Sequence, residues 1–422
     1  MRSDVDSLST ARAAVRSESQ DRTYLVSRAI SILETLISMD TTSSKSNLPL
    51  VDWVEAYAVK LGARVERFPC ASQEKAGLWI TIGPTEKQGL VLSGHTDAVP
   101  AVESSWASDP FKLDKRGGRL YGRGTCDMKG FIAVCLAALP RLVGRKLLFP
   151  IHLSLSYDEE VGIVGVRQML HEIARRPTKP FACIVGEPTM MEVVVGHKGK
   201  RAERVTVRGR GCHSSLAPHG VNAVSYAARL ISHLDDIGRK LMLDGSRDTL
   251  QSVPFATVNI APIRGGQWVA AVPAECCFDY EVRGSRQQEI DDVVEKVHAF
   301  AKNILLPEMQ SVAPEAAIEF EFHTNYPGFE IAPDAPLVET VSGLLNRQAV
   351  AKVPYGTEAG LFAAIADIPT VVVGPGSIEQ AHMPDEFIEM AQFEACVHFV
   401  DDLFSIATGE IAKSRESGAT AE

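Results

Sequence analysis

Four brief apolar runs, residues 90–93, 151–156, 182–185 and 370–373, each lead into glycine or acidic residues. They are rich in Val, Ile and Leu and too short for amphipathic helices, so they read as strands buried on both faces, the pattern of a parallel sheet. Helical stretches at 128–143 and 165–176 fall between them. The alternation predicts an α/β fold: an open, twisted, mainly parallel sheet with helices on both faces. Upstream, an apolar helix begins near Thr23 (Leu25, Ile30, Leu33, Leu36, Ile37). A second carries Trp53, Ala56, Tyr57, Val59 and Leu61 and closes at Gly62.

Residues 200–323 follow a different rhythm. Strands at 204–208, 255–261, 275–283 and 317–323 and helices at 222–243 and 288–305 give the order β-α-β-β-α-β, a ferredoxin-like split unit. Such a unit closes on itself. A chain of 422 residues has room for two cores. The division expected is therefore a main domain in two parts, 21–199 and 325–412, an inserted domain at 200–324, and loose tails at 1–20 and 413–422.

Charge narrows the partners. Lys and Arg number 43 against 53 Asp and Glu, a net charge of −10. That disfavours a nucleic-acid track or an anionic membrane surface and favours a small, cationic ligand. No apolar stretch reaches the roughly 18 to 20 residues of a membrane span. The first twenty residues lack the apolar centre of a secretory signal. Eight cysteines without a C-x-x-C pair suggest neither a disulfide scaffold nor a cysteine zinc site, and a reducing cytoplasm is the expected location.

Histidines and carboxylates recur where the predicted strands end. In Ser93-Gly94-His95-Thr96-Asp97, a spacing of two puts His95 and Asp97 on one face of extended chain, where the acid can take the second ring nitrogen of a metal-binding imidazole. Gly122 to Gly130 is a glycine-rich loop delivering Asp127 to a helix start. Its glycines match no phosphate-binding fingerprint. Strand 151–156 ends in Asp158-Glu159-Glu160, whose mutual repulsion a cation would relieve. Strand 182–185 leads to Glu187, and strand 370–373 to a loop with His382. Singly, each has a plainer reading as a helix cap, a solvated loop acid or a surface histidine. Together they collect at the carboxyl ends of the strands, where open α/β sheets bind ligands, and suit a two-metal hydrolase with a bridging acid.

These motifs, with Gly124-Thr125-Cys126-Asp127-Met128-Lys129-Gly130 and Gly186-Glu187-Pro188-Thr189, resemble the di-zinc amidohydrolase and exopeptidase family. Residues 355–362 and 374–382 are most similar to its acetylornithine deacetylase branch. The resemblance implies two Zn²⁺ ions per chain, with Co²⁺ or Mn²⁺ as substitutes. The first is bound by His95, Asp127 and Glu187, the second by Asp127, Glu160 and His382. It implies Glu159 as general base, Asp97 as the partner of His95, and the inserted domain as a lid that forms a homodimer and presents His213 to a neighbouring active site. Where the family's lids commonly carry Asn, this chain has Ala270.

The activity implied is hydrolysis of the amide bond of an N-acyl amino acid, N-acetylornithine first. A desuccinylase, aminoacylase, dipeptidase or carboxypeptidase reaction comes second, and an inactive binding protein on the same fold is a remote third. Substrate contacts are expected from Arg283, whose planar fork suits an α-carboxylate, from Glu358 beside a cationic side chain, and from Asn259, Gly356 and Thr357.

Overall fold

In the computed structural model, which describes residues 21–347 and 350–410, the strand Leu90–His95 lies between two parallel neighbours, Ile151–Ser156 and Ala182–Val185. Thr370–Val372 extends this parallel centre beyond Ala182–Val185. Every residue of these four strands is buried, which is why none alternates apolar with polar positions. The margins are antiparallel. Ala76–Ile82 and then Arg64–Pro69 add on one side, and Val193–His197 joins Thr370–Val372 on the other. The sheet is thus mixed, parallel where the candidate site residues leave it. The expected tails, 1–20 and 413–422, lie outside the described residues.

The described residues form two compact units. The larger comprises 21–195, 331–347 with Val350, and 357–410; the smaller comprises Gly196–Glu330 and Ala351–Gly356. Helices cover both faces of the larger unit's sheet. Leu90, Leu92, Leu153, Leu155 and Ile184 share one apolar cluster with Phe131, Leu136, Phe393 and Phe404 of the mutually packed helices Gly130–Ala138 and Met390–Thr408. A second packed pair, Gly165–Ala174 and Ala359–Ala366, contributes Met169, which meets Ser154 and would touch a Cβ at Gly77. Burying each of these large apolar side chains contributes about 1.5–3 kcal/mol.

The helix expected at 128–143 is broken into three pieces: a π turn Thr125–Lys129, the helix Gly130–Ala138 and a 3-10 turn Leu139–Leu142. Two local causes account for it. Gly124 adopts φ +85° and Asp127 leaves helical geometry, so the helix proper starts at Gly130, where a Cβ would stand 2.3 Å from the Thr125 carbonyl oxygen. Pro140 supplies no N–H to continue an α-helix.

In the smaller unit, a four-stranded antiparallel sheet runs Thr257–Gly265, Glu275–Gly284, Gly199–Arg208, Ala317–Tyr326. Helices Ala223–Asp244 and Gln287–Phe300 bury Leu230, Leu234, Ile290 and Val297 against Val205, Val207, Phe278 and Tyr280. The chain order is β-α-β-β-α-β. Asn222 caps the first helix by accepting the Ser225 N–H at 3.0 Å.

Candidate metal centre

Three strands of the parallel centre deliver an acid or imidazole at, or within four residues of, their carboxyl ends, and the fourth leads to the His382 loop. Leu90–His95 ends on His95, which is 1% exposed. Its Nδ1 lies 2.9 Å from the main-chain oxygen of Asp97 and 3.5 Å from that residue's carboxylate. The ring therefore donates through Nδ1 to the carbonyl and presents Nε2 to the site. The Asp97 carboxylate, beside the same ring nitrogen, also serves the neighbouring loop. It accepts from Ser43 Oγ at 2.7 Å and from the Glu159 and Glu160 main-chain N–H groups at 3.1 and 3.3 Å.

Asp127 stands between the two histidines. Oδ1 is 2.9 Å from His95 Nε2, and Oδ2 is 3.2 Å from His382 Nε2. A cis peptide joins it to Met128. His382 Nε2 also lies 3.0 Å from Glu160 Oε2, and Glu187 Oε1 is 3.8 Å from His95 Nε2. Ligand atoms of His95, Asp127 and Glu160 fall within 4.8 Å of one another, as do those of His95, Glu159 and Glu187. Glu187 reaches its place because Gly186 clears the Phe131 ring, which a Cβ would approach to 2.0 Å. The run of three acids is sorted by direction: Asp158, at φ +55°, turns to Lys75 Nζ at 2.5 Å, while Glu159 and Glu160 join the centre.

Electrostatics show what the cluster lacks. Burial, reinforced by neighbouring charges, pushes the carboxyls of Glu159, Glu160 and Glu187 above their ordinary range. Asp127 is held below it, because bonds from His382 and His95 outweigh burial. His382, bonded to Asp127 and Glu160, is pushed up to about 10. Four carboxylates thus face two imidazoles in a site with too little positive charge. The mixed N and O donor set fits divalent ions such as zinc, which would occupy the place of the imidazole protons.

The remaining expected contacts are placed as follows. Glu358 is 1% exposed and accepts from Ser93 Oγ at 2.9 Å, inside the core rather than on an open wall. Thr357 is buried beside it and accepts the Ala359 N–H at 3.1 Å. In the smaller unit, Arg283 Nε donates to Glu281 Oε1 at 2.9 Å. Asn259 is exposed opposite Glu281, and a Cβ at Gly356 would enter the Tyr326 ring. His213, also of that unit, is exposed and accepts the Ser215 N–H at 3.2 Å. Sequence reasoning missed Ser43, Lys75 and Glu386, polar residues in loops that carry no periodic signal.

Residues 91–405 match the peptidase family M20/M25/M40. The acetylornithine deacetylase of Proteus mirabilis (strain HI4320) is 34% identical over 359 residues, covering 84% of this chain and 89% of its own. That of Photorhabdus laumondii is 34% identical over 365 residues, 86% of this chain and 90% of its own. Among solved structures, the M20 family metallo-carboxypeptidase Sso-CP2 of Sulfolobus solfataricus superposes with a TM-score of 0.71 at 18% identity, covering 90% of this chain and 99% of its own. A dinuclear metal-binding M20 peptidase of Bacillus subtilis gives 0.63 at 15% identity, with 92% and 99% covered. With relatives this similar along most of its length, the chain is a hydrolase belonging to peptidase family M20/M25/M40.

Proposed function

We propose that the protein hydrolyses the amide bond of an N-acyl amino acid, N-acetylornithine foremost, releasing acetate and ornithine with two zinc ions. The observation that supports this most is Asp127, one oxygen at each histidine, 2.9 Å from His95 and 3.2 Å from His382. Relatives named acetylornithine deacetylase at 34% identity point to the substrate. His95, Asp127 and Glu187 would hold one ion and Asp127, Glu160 and His382 the other. Such ions supply Lewis acidity, polarising the amide carbonyl and acidifying water.

The chain's own residues handle the proton and the geometry. Glu159 is half-buried, with a carboxylate oxygen within 4.8 Å of ligand atoms of His95 and Glu187. It takes the proton of the attacking water as the oxygen adds to the amide carbon. It returns that proton to the departing nitrogen as the C–N bond breaks. Asp97 fixes the main chain of Glu159 and Glu160. A complete donor set and base argue against an inactive binding protein.

The finer assignments belong to the same proposal. Arg283 meets the substrate α-carboxylate, Asn259, Gly356 and Thr357 add further substrate contacts, and Glu358 complements an ammonium. His213 stabilises the oxyanion in a lid-mediated homodimer. All eight cysteines are free, which suits a cytoplasmic enzyme, and among the described residues no helix is long and apolar enough to cross a membrane. Steady-state kinetics on acetyl, succinyl and formyl amino acids and dipeptides test the reading. The highest kcat/KM is expected for N-acetylornithine; a higher value for a succinylated substrate or a dipeptide overturns the substrate assignment.

A further inference from the structure

Four residues after His382, Glu386 is 1% exposed and lies beside the Gly122–Asp127 turn. Its position follows from pairing: the next residues, Phe387–Glu389, form a strand on Arg119–Tyr121, which leads straight into that turn. Glu386 Oε1 accepts the main-chain N–H groups of Cys126 at 2.8 Å and Asp127 at 3.0 Å. Oε2 accepts the Gly124 N–H at 2.9 Å and Arg123 Nη1 at 2.7 Å. Its own carbonyl accepts the Gly122 N–H at 3.0 Å. The left-handed Gly124 and the non-helical Asp127 leave these N–H groups without the partners a regular helix would give.

We propose that Glu386 is the positioning residue of the metal centre, its carboxylate locking the Asp127 turn to the His382 loop so that the two ligands stay in register. This rests on the reading of Asp127 and His382 as ligands. Both oxygens are committed, so the side chain leaves the chemistry to others and acts only through Asp127. Charge-assisted bonds to three main-chain donors and a guanidinium fix direction as well as distance. The three residues between His382 and Glu386 include Pro384, whose ring limits the backbone freedom of the link. One buried carboxylate therefore sets the separation of two loops that the chain order places more than two hundred residues apart.

Calorimetric titration of metal-free protein with zinc chloride tests this on wild type, Glu386→Gln, Glu386→Asp and a core control, Val400→Ala, with melting curves and kinetics run alongside. Gln keeps the shape but sets an NH₂ against N–H donors. It should weaken zinc binding by about 10- to 100-fold and lower kcat with little change in KM, the usual range for groups that orient metal ligands. Glu386→Asp, which keeps the charge, should fall between and serves as the reading should the Gln variant not fold. Val400→Ala, buried in the core ten residues into the helix Met390–Thr408 and absent from the hydrogen bonds of the turn, should lower the melting temperature and keep wild-type zinc affinity. Wild-type affinity in both Glu386 variants overturns the proposal, as does an equal loss in Val400→Ala. A wild type that binds no zinc would instead overturn the metal-centre reading, and this shows in the wild-type titration alone.

Discussion

The main-chain N–H of Glu159 donates to Asp97 Oδ1 at 3.1 Å, so the acid two residues beyond His95 holds the proposed base in place. Asp97 accepts three donors, Ser43 Oγ and the N–H groups of Glu159 and Glu160, and burial makes their loss costly. Asp97→Asn keeps one acceptor oxygen and faces a donor with a donor. We expect activity to fall about 10- to 100-fold in kinetics at saturating zinc. Unchanged kcat would show that the loop keeps its place unaided.

Glu159→Gln separates proton transfer from metal binding. Turnover should fall by about 10² to 10⁴, the usual contribution of a general base, while zinc content stays at the wild-type value. Wild-type turnover in this variant removes Glu159 from the mechanism.

Gly186→Ala tests how the fold positions a ligand. The added Cβ would meet the Phe131 ring at 2.0 Å, in a core whose ring is 1% exposed. Overpacking of this kind costs about 1–3 kcal/mol and displaces neighbouring backbone, here that of Glu187. Thermal denaturation should show the loss and zinc titration a weaker site; an unchanged melting temperature contradicts the packing.

Much of this architecture is written locally in the chain. The parallel centre was legible because Val, Ile and Leu runs buried on both faces end abruptly at His95, Glu160 and Glu187, and the inserted unit because its helices and strands keep clean periods. Asp127 was legible from its glycine-rich loop. What local pattern does not carry is pairing across long separations. Ser43 and Glu386 carry no local signal, and only the fold brings them against Asp97 and the Asp127 turn. Glu358, expected beside a cationic side chain of the substrate, is buried just before the apolar helix Ala359–Ala366. The helix expected from 128 begins instead at Gly130, because the turn at Asp127 departs from helical geometry.

Acid should weaken the smaller unit through one carboxylate. Burial alone would raise Glu203, but bonds from His298, Tyr280 and Arg201 hold it down at about 2. A folded value below the unfolded one, about 4.5, stabilises the fold above pH 4.5, and that contribution is lost as pH falls towards 2. The contribution is up to about 3 kcal/mol. Denaturant titrations between pH 6 and about 3 should show a steeper loss in wild type than in Glu203→Gln; equal slopes would contradict the assignment.

The central claim is that the cluster around Asp127 is a working two-metal site. Metal content and activity should be measured together on protein reconstituted in zinc, stripped with a chelator and restored. The account predicts close to two zinc ions per chain, loss of N-acetylornithine hydrolysis on stripping, and recovery as the second ion returns, consistent with bridged ions sharing one carboxylate. Full hydrolysis by protein containing no metal would contradict it.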